Sequence, residues 1–400
     1  MTICVSTVFS QCIPCDQGGV CTGTTTSATR TTVTTATGTG TRTTTPVTSS
    51  TPPPTAGKLR FAGVNIAGFD FGSQTDGSAV IGSAWPPLTQ FFGQDGAGQM
   101  NHFVKDDGFN LFRLPVGWQF LLNSTTNAGG PLNAANLAEY DALVQACLAS
   151  GSGVFCIIDI HNYARFQGQI IGQGGPTNAQ FAATWAALAA KYKAESRIMF
   201  GIVNEPHDIP NVVTWAATVQ TVVTAIRNAG ATSQIILLPG NNWQAASSLF
   251  NDGSGDALLK VTNPDGSTTN LIFDVHKYLD ANNSGVGPDC AQNNIDTAWA
   301  PLAQWLRANK RQALNTETGG GNTANCLKFM CQQIAYQAQN SDVYLGYAGW
   351  GAGNFFVNLN PGYDLSETPQ FNATTGKWTD VAIVSKCMAP VAGAQNGNTG

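Results

Sequence analysis

Two glutamates lie at the ends of apolar runs in separate parts of the chain. Glu205 follows the run 198–203 and is succeeded by Pro206, and Glu317 ends the stretch "QALNTE". Two carboxyl groups on different strands suit glycosidic cleavage, because one donates a proton to the leaving oxygen while the other attacks or polarises the anomeric carbon. The sequence therefore favours a pair of catalytic carboxyls at strand ends, with proline stiffening the chain after Glu205.

Other polar or aromatic residues end the remaining apolar runs in the same way. They are Arg113, His161 after Asp159, Asn204, His276 with Tyr278, and Trp350. One such residue is readily explained as a solvated strand end, but the set as a whole predicts a shared cleft. A cation beside one carboxyl keeps it ionised, and a less polar setting keeps the other protonated.

The elements that position these residues follow from the hydrophobic pattern after Lys58, where short apolar runs alternate with helical stretches. The predicted strands are 61–66, 109–115, 154–160, 198–204, 235–240, 271–276, 312–317 and 343–350. The predicted helices include 133–150, 177–195, 211–229, 296–309 and 324–339, whereas the fifth helix, after Trp243, is the least clear. This alternation predicts an α/β fold, a (β/α)8 TIM barrel whose strand ends form the catalytic face.

The segment before the barrel has a different composition. Threonine accounts for 18 of the 35 residues from Thr22 to Ala56, and three prolines close the run. Such a tract has little to bury, which predicts a disordered, O-glycosylated linker. The domain plan predicted from these boundaries is a remnant at 1–21, a linker at 22–57, a catalytic domain at 58–389 and a flexible tail at 390–400.

Composition limits the partners and the compartment. A net charge of −5 and a pI near 5.3 leave no basic footprint for nucleic acid or an anionic membrane. The chain has ten cysteines, and none lies among histidines at zinc-finger spacing, which predicts disulfides and secretion into an oxidising compartment. The first ten residues, "MTICVSTVFS", do not read as a signal peptide. Asn123, Asn282 and Asn372 each begin a sequon for N-glycosylation.

Six motifs carry a family resemblance. "FRLPVGWQ", "DIHNY", "GIVNEPHD", "DVHKYLD", "TETGGG" and "GWGAG" are spread between Phe61 and Cys387. Together they resemble a fungal endo-β-1,4-glucanase (cellulase) of glycoside hydrolase family 5. The resemblance implies a retaining β-1,4-glucanase with Glu205 as acid/base and Glu317 as nucleophile, their carboxyls roughly 5–5.5 Å apart.

The same resemblance places further residues around the cleaved sugar. Arg113 and Tyr278 are expected to hold Glu317 ionised. Asn204 is expected to contact the 2-hydroxyl, and Trp350 to offer an apolar face to the sugar ring. His161 and His276 fall on the remaining family positions of this subsite, and Trp243 is either a second platform or a core residue. The family's pairing implies the disulfides Cys147–Cys156, Cys290–Cys326 and Cys331–Cys387.

Two features depart from the family's usual pattern. The stretch from Phe9 to Cys12 resembles the end of a fungal-type cellulose-binding module, whose glycine-rich, aromatic-bearing first half is absent from this sequence. Residues 1–21 are therefore expected not to bind cellulose. Ser73 and Ser78 occupy positions where relatives commonly carry a disulfide, so this loop is expected to be unlinked.

Three alternatives stay open. A β-1,4-mannanase or xylanase shares the same pair of glutamates, which do not select the sugar. A metal-dependent barrel hydrolase would gather Asp159, His161, His207 and His276, although these histidines form no HxH pattern on a predicted strand. A catalytically silent sugar-binding protein would lack one of the two glutamates. We expect a monomer that needs no cofactor and no metal, and that acts on a β-1,4-glucan.

Overall fold

Eight parallel strands close into a barrel. The structure, a computed structural model, describes residues 57–356 and 365–389. Strands β1 to β8 are Phe61–Ala67, Leu111–Val116, Phe155–Ile160, Ile198–Gly201, Ile235–Pro239, Leu271–His276, Ala313–Thr318 and Tyr344–Gly353. Each pairs with its neighbours in chain order, and β1 pairs with both β2 and β8. The predicted (β/α)8 barrel is confirmed.

Strand β4 is shorter than predicted. The sequence indicated extended structure up to Asn204, but the pairing of β4 with β3 stops where Gly201 meets Asp159. Asn204 nevertheless donates its backbone N–H to the carbonyl of Ile160 at 2.9 Å. The chain beyond β4 is therefore still anchored to the neighbouring strand just before the first glutamate.

Helices cover the outside of the barrel. Helices α1 to α8 are Gly96–Lys105, Trp118–Leu122, Ala134–Ala149, Asn178–Tyr192, Val212–Asn228, Ser254–Leu258, Ala300–Ala308 and Ala324–Gln339. Helix α6, which follows β5, has only five residues, which explains why the fifth helix was hard to read from sequence. Helix α1 was not predicted: two glycines lie in its first turn, and the Asp95 side chain caps it by accepting from the N–H of Gly98 at 2.8 Å.

The hydrophobic core has two layers, as the alternation of side chains along barrel strands requires. The inner layer lies inside the barrel and contains Phe61, Leu111, Ile157, Met199, Leu237 and Leu314. The outer layer lies between strands and helices and includes the fully buried rings of Trp118, Trp185, Trp215 and Trp299. The inner layer fills the interior of the barrel below the strand ends.

Three disulfides reinforce the outer layer. They join Cys147 to Cys156, Cys290 to Cys326 and Cys331 to Cys387, the pairs that the family resemblance implied. In the loop with the two serines, Gln74 donates its N–H to the carbonyl of Ser78 at 2.9 Å, so a backbone turn closes this loop.

Residues 1–21, the linker 22–57 except Gly57, and the tail 390–400 lie outside the described residues. The parts of the domain plan that fall on them stay predictions. Within the described part of the chain, no helix combines the length and the apolar character needed to cross a membrane.

Candidate active site

The sheet register brings the strand-end residues to one mouth of the barrel. Asn65 on β1 lies opposite Arg113 on β2, and His276 on β6 lies opposite Glu317 on β7. An irregularity in the pairing of β6 with β7 falls between Val275 and His276. Because all eight strands are parallel, these side chains gather at the carboxyl end of the barrel.

Arg113 is the hub of this cluster. Its Nη1 donates to Glu317 Oε1 at 2.5 Å and to Asn65 Oδ1 at 2.9 Å. Its Nη2 donates to Asn204 Oδ1 at 2.6 Å and lies 3.0 Å from Asp159 Oδ2. Burial opposes the charge of the guanidinium, but Asp159 and Glu317 raise the pKa of Arg113 above its ordinary value. Arg113 is therefore a fixed cation that orients residues from several strands.

Glu317 is held as a carboxylate. Tyr278, in the loop after β6, donates its hydroxyl to Glu317 Oε2 at 2.7 Å. Burial would raise the pKa of Glu317, but the positive charges of His276 and Arg113 and the hydrogen bond from Tyr278 lower it to about 2. Gly285 (φ +74°) packs on the Tyr278 ring, where a Cβ would lie 2.6 Å from Cε1. Only glycine fits there without displacing the tyrosine.

Glu205 is more accessible than Glu317, with 16% of its side chain exposed. Its backbone has φ +44°, a left-handed conformation that is uncommon for glutamate, and its N–H donates to the side-chain oxygen of Gln244. The Glu205 Oε1 lies 2.9 Å from His276 Nδ1. Carboxylate oxygens of Glu205 and Glu317 lie within 4.8 Å of each other, which is typical of retaining rather than inverting glycosidases.

His276 lies between the two carboxyls and connects them to a buried polar chain. Its Nδ1 is also 3.4 Å from Glu317 Oε2, and its Nε2 is 3.0 Å from the hydroxyl of Thr316. The Thr316 hydroxyl in turn hydrogen-bonds Asp274. Burial favours the neutral imidazole, but Glu317 and Glu205 raise the pKa of His276 overall. A positive His276 offsets the charge of the paired carboxyls.

His161 and Asn204 lie side by side in the same barrel mouth. His161 Nδ1 lies 3.0 Å from Asp159 Oδ2, and its Nε2 lies 3.2 Å from the amide nitrogen of Asn204. The ring of Trp350, on β8, stacks on His161 with centroids 5.2 Å apart and an interplanar angle of 13°. These contacts fix the Asn204 side chain beside Glu205.

Trp243 lies at the rim of the mouth and does not belong to the core, because 42% of it is exposed. Its ring stacks face to face on His207 with centroids 3.8 Å apart. The backbone N–H of Trp243 donates to the carbonyl of Pro206 at 2.9 Å, which ties the residue to the segment that carries Glu205. The interpretation of Trp243 as a core residue is therefore wrong.

The metal-binding group considered from sequence is not assembled among the described residues. Asp159 pairs with His161, but His207 contacts Asp208 and the carbonyl of Thr75. His276 instead lies between Glu205 and Glu317, and the donor atoms of these three residues lie within 4.8 Å of one another.

Sequence reasoning missed three supporting residues. Asn65 donates to the carbonyls of Thr316 and Gly349, each at 2.9 Å, and so ties β1 to β7 and β8. Its position as the polar residue of an otherwise apolar strand was the available signal. Thr316, beside the predicted Glu317, offered a weaker one. Gln244 contacts Glu205 from a loop, and nothing in the sequence around it marked this role.

A barrel with two glutamates this close, one of them held ionised, is the site of a retaining glycoside hydrolase. The family model described as "Cellulase (glycosyl hydrolase family 5)" matches residues 67–353. The chain belongs to this family.

Named relatives agree with this assignment. "Endoglucanase EG-II" of Hypocrea jecorina is 61% identical over 339 residues, 84% of this chain and 78% of the relative. The crystal structure of Cel5A (EG2) from the same organism has a TM-score of 0.79 and 61% identity, covering 83% of this chain and 98% of that one. A structure of XacCel5A in complex with cellopentaose has a TM-score of 0.69 and 29% identity, covering 84% and 99%.

The predicted activity, retaining hydrolysis of internal β-1,4-glucosidic bonds, is confirmed by this family membership and these relatives. The alternative activities on mannan and xylan gain no support from these matches, and a glucan is the substrate.

Proposed function

We propose that Glu317 is the nucleophile and Glu205 the acid/base of a double displacement on β-1,4-glucan. The observation that carries this assignment is the difference in their surroundings. Glu317 is buried, and the charges of His276 and Arg113 with the hydrogen bond from Tyr278 lower its pKa to about 2, whereas Glu205 is partly exposed and has His276 as its hydrogen-bond partner. An ionised carboxylate suits attack, and a solvent-accessible carboxyl suits exchange of a proton with the leaving group and then with water.

In the first step a carboxylate oxygen of Glu317 bonds to the anomeric carbon as the glycosidic C–O bond breaks. The electron pair of that bond goes to the leaving oxygen, which takes the proton of Glu205. In the second step Glu205 accepts a proton from water, whose oxygen attacks the anomeric carbon and releases Glu317 as a carboxylate. The configuration of the anomeric carbon is inverted twice and so retained.

His276 supports both protonation states of Glu205. When Glu205 is a carboxylate, the imidazolium donates to it from Nδ1. When Glu205 has regained its proton, the net charge of the site is one unit higher, and the chain through Thr316 to Asp274 offers the imidazole a polar partner on its other nitrogen. His276 is thus the residue that adjusts the electrostatics of the pair between the two steps.

The contacts to substrate are proposed from the hydrogen-bond donors and ring faces that the contacts within the site leave available. Asn204 uses its carbonyl oxygen on Arg113 and one amide hydrogen on His161, so its second amide hydrogen is the donor for the 2-hydroxyl of the bound sugar. Trp350 and Trp243 present ring faces for the apolar sides of bound sugar rings.

Secretion and a monomeric state complete the proposal. Three disulfides suit an oxidising compartment. The sequon asparagines Asn123, Asn282 and Asn372 are all exposed, as acceptors of N-glycans must be.

Two measurements test the assignment of the glutamates. Proton NMR of the first products from a soluble cello-oligosaccharide is expected to show the β-anomer, and initial α-anomer would contradict the double displacement. Glu205→Gln is expected to lose about 10²- to 10⁴-fold in kcat on cellulose but to keep glycosylation of an aryl glycoside whose leaving group needs no proton. Full activity of Glu205→Gln on cellulose would refute the assignment.

A further inference from the structure

A second cluster of titratable side chains lies outside the catalytic mouth. His102, in the last turn of α1, faces Asp107, just after the helix, and Asp380, near the end of the described chain. His102 Nε2 lies 2.9 Å from Asp380 Oδ1 and 3.7 Å from Asp107 Oδ2. One imidazole nitrogen and two carboxylates thus converge on one point from two distant parts of the sequence.

Asp107 is the residue that an ordinary ion pair does not explain. It is only 8% exposed, yet its Oδ2 has no hydrogen-bond partner within residues 57–356 and 365–389. The 3.7 Å to His102 Nε2 is too long for a hydrogen bond. A buried carboxylate oxygen without a partner is strongly unfavourable, and a cation in front of it would satisfy it.

The other ring nitrogen of His102, Nδ1, already has a hydrogen-bond partner. His102 Nδ1 lies 2.5 Å from Asp106 Oδ2, so Nδ1 carries a proton and donates it to this carboxylate. In the ion-free chain the Nε2–H donates to Asp380 Oδ1 at 2.9 Å, and an ion bound there would displace this proton and take the lone pair of Nε2 while Nδ1 keeps its proton. Metal-binding histidines in proteins commonly have this arrangement, in which a carboxylate accepts the second ring N–H and fixes the tautomer.

The spacing suits a small divalent ion. The three donor atoms lie within 4.8 Å of one another. Ligand bonds to a first-row ion are about 2.0–2.2 Å, so two ligands of one ion lie about 3 to 4.4 Å apart, which small side-chain rotations would satisfy here. A set of one imidazole and two carboxylates is borderline in softness and fits Mn²⁺ or Zn²⁺.

We propose that His102 Nε2 and the carboxylates of Asp107 and Asp380 bind a divalent transition-metal ion, Mn²⁺ or Zn²⁺, at a structural site. A cavity of about 380 Å³ borders His102, and its lining includes Asp95, Asn101, Lys105, Asp106 and Phe371. The ring of Trp378 stacks on His102 with centroids 5.6 Å apart and covers one face of the site.

The position of the site defines its function. Asp107 precedes β2, so it lies at the amino ends of the strands, whereas Glu205 and Glu317 lie at the carboxyl ends. The ion would link α1 to the segment that follows the hairpin Gln370–Asn372 and Lys377–Thr379. Binding there stabilises the folded chain by linkage and leaves the chemistry at the opposite end of the barrel unchanged.

Thermal unfolding of the full chain, stripped with a chelator and dialysed, is the first test. Addition of Mn²⁺ or Zn²⁺ is expected to raise the Tm by several degrees, and Asp107→Asn is expected to weaken the apparent affinity about tenfold or more. Asp342→Asn is the matched control, because it makes the same change of charge at an exposed partner of Arg307. Equal shifts in Asp107→Asn and the parent chain, or no shift with either ion, would overturn the proposal.

Histidine NMR tests the location without a variant in the site. The chain has four histidines, so their ring signals are few enough to follow individually. Substoichiometric Mn²⁺ is expected to broaden the signal of His102 first. Broadening that begins at His276 would place the ion between the catalytic glutamates and refute the site. The rate of hydrolysis of carboxymethylcellulose at 25 °C is expected to be the same with and without the ion.

Discussion

Arg113 and Glu317 form a buried ion pair in the barrel mouth, with Nη1 and Oε1 2.5 Å apart and side chains only 0% and 4% exposed. Burying an ion pair this deeply costs desolvation free energy, which is strongly unfavourable unless the remaining polar atoms of the two side chains are hydrogen-bonded. Asn65, Asn204 and Asp159 bond or pair with the guanidinium, and Tyr278 donates to the carboxylate. The site therefore keeps Glu317, the proposed nucleophile, ionised in a place where water contributes little.

Arg113→Lys is expected to lower kcat about 10- to 100-fold, although the positive charge remains. A lysine ammonium cannot reproduce the planar fork that contacts residues on several strands, and each lost charged hydrogen bond is worth about 1.5–3 kcal/mol. Initial rates on carboxymethylcellulose measure the effect. Arg307→Lys, at an exposed pair with Asp342, is the control and is expected to retain full activity. An Arg113→Lys variant as active as the parent would contradict the role of the guanidinium.

Tyr278→Phe is expected to move the acid limb of the kcat/KM profile to higher pH. A nucleophilic carboxylate must be ionised, and the pKa of Glu317, the proposed nucleophile, is lowered from 4.5 to about 2. Loss of the 2.7 Å hydrogen bond destabilises the carboxylate by about 1.5–3 kcal/mol, which raises this pKa by about 1 to 2. At a given acidic pH less of the variant is then ionised, so its activity is lost earlier as the pH falls.

The measurement is a pH series on a soluble aryl cellobioside, where the acid limb is easiest to define. Tyr336→Phe removes a hydroxyl from α8, away from the barrel mouth, and is expected to leave the profile unchanged. An acid limb in Tyr278→Phe that coincides with that of the parent would show that Tyr278 does not stabilise the ionised nucleophile.

The sequence predicted the barrel and the strand-end residues because both depend on local pattern. Alternating apolar and helical runs define the strands, and a polar residue such as Glu205 or Glu317 stands out at the end of an apolar run. The contacts of Gln244 and Thr316 could not be predicted, because they depend on how separate loops and strands pack. Helix α1 was missed because its capping by Asp95 outweighs two glycines that weaken the helical pattern.

Trp243→Ala is expected to reduce kcat/KM on cello-oligosaccharides about three- to tenfold, with Trp243→Phe close to the parent. One face of the indole is covered by His207, which fixes the ring, and 42% of the residue is exposed to receive a sugar. Stacking on an aromatic ring is worth about 0.5–1.5 kcal/mol. Steady-state kinetics on cellotetraose and cellopentaose measure it, and an Ala variant equal to the parent would show that the ring does not contact substrate.

Cys331→Ala combined with Cys387→Ala is expected to lower the free energy of unfolding by about 2–4 kcal/mol, because the bond restricts the unfolded chain over a separation of 56 residues. Denaturant unfolding in chelator measures the loss. Activity at 25 °C is expected to persist, since the bond joins α8 to the π-helical turn Val384–Met388 outside the barrel. An unchanged free energy of unfolding would contradict a stabilising role.

Deletion of residues 1–57 is expected to leave activity on soluble substrate and adsorption to crystalline cellulose unchanged. Cellulose-binding modules of the fungal type use a flat row of aromatic rings, whereas residues 1–21 contain a single aromatic, Phe9, and four cysteines. Stacking of one ring gives too little free energy to offset the ordering of a short segment of about twenty residues. Adsorption isotherms of both forms on microcrystalline cellulose, with carboxymethylcellulose hydrolysis as the control for folding, provide the comparison. Markedly tighter adsorption by the full chain would mean that the segment, with its four cysteines, forms a functional binding module after all.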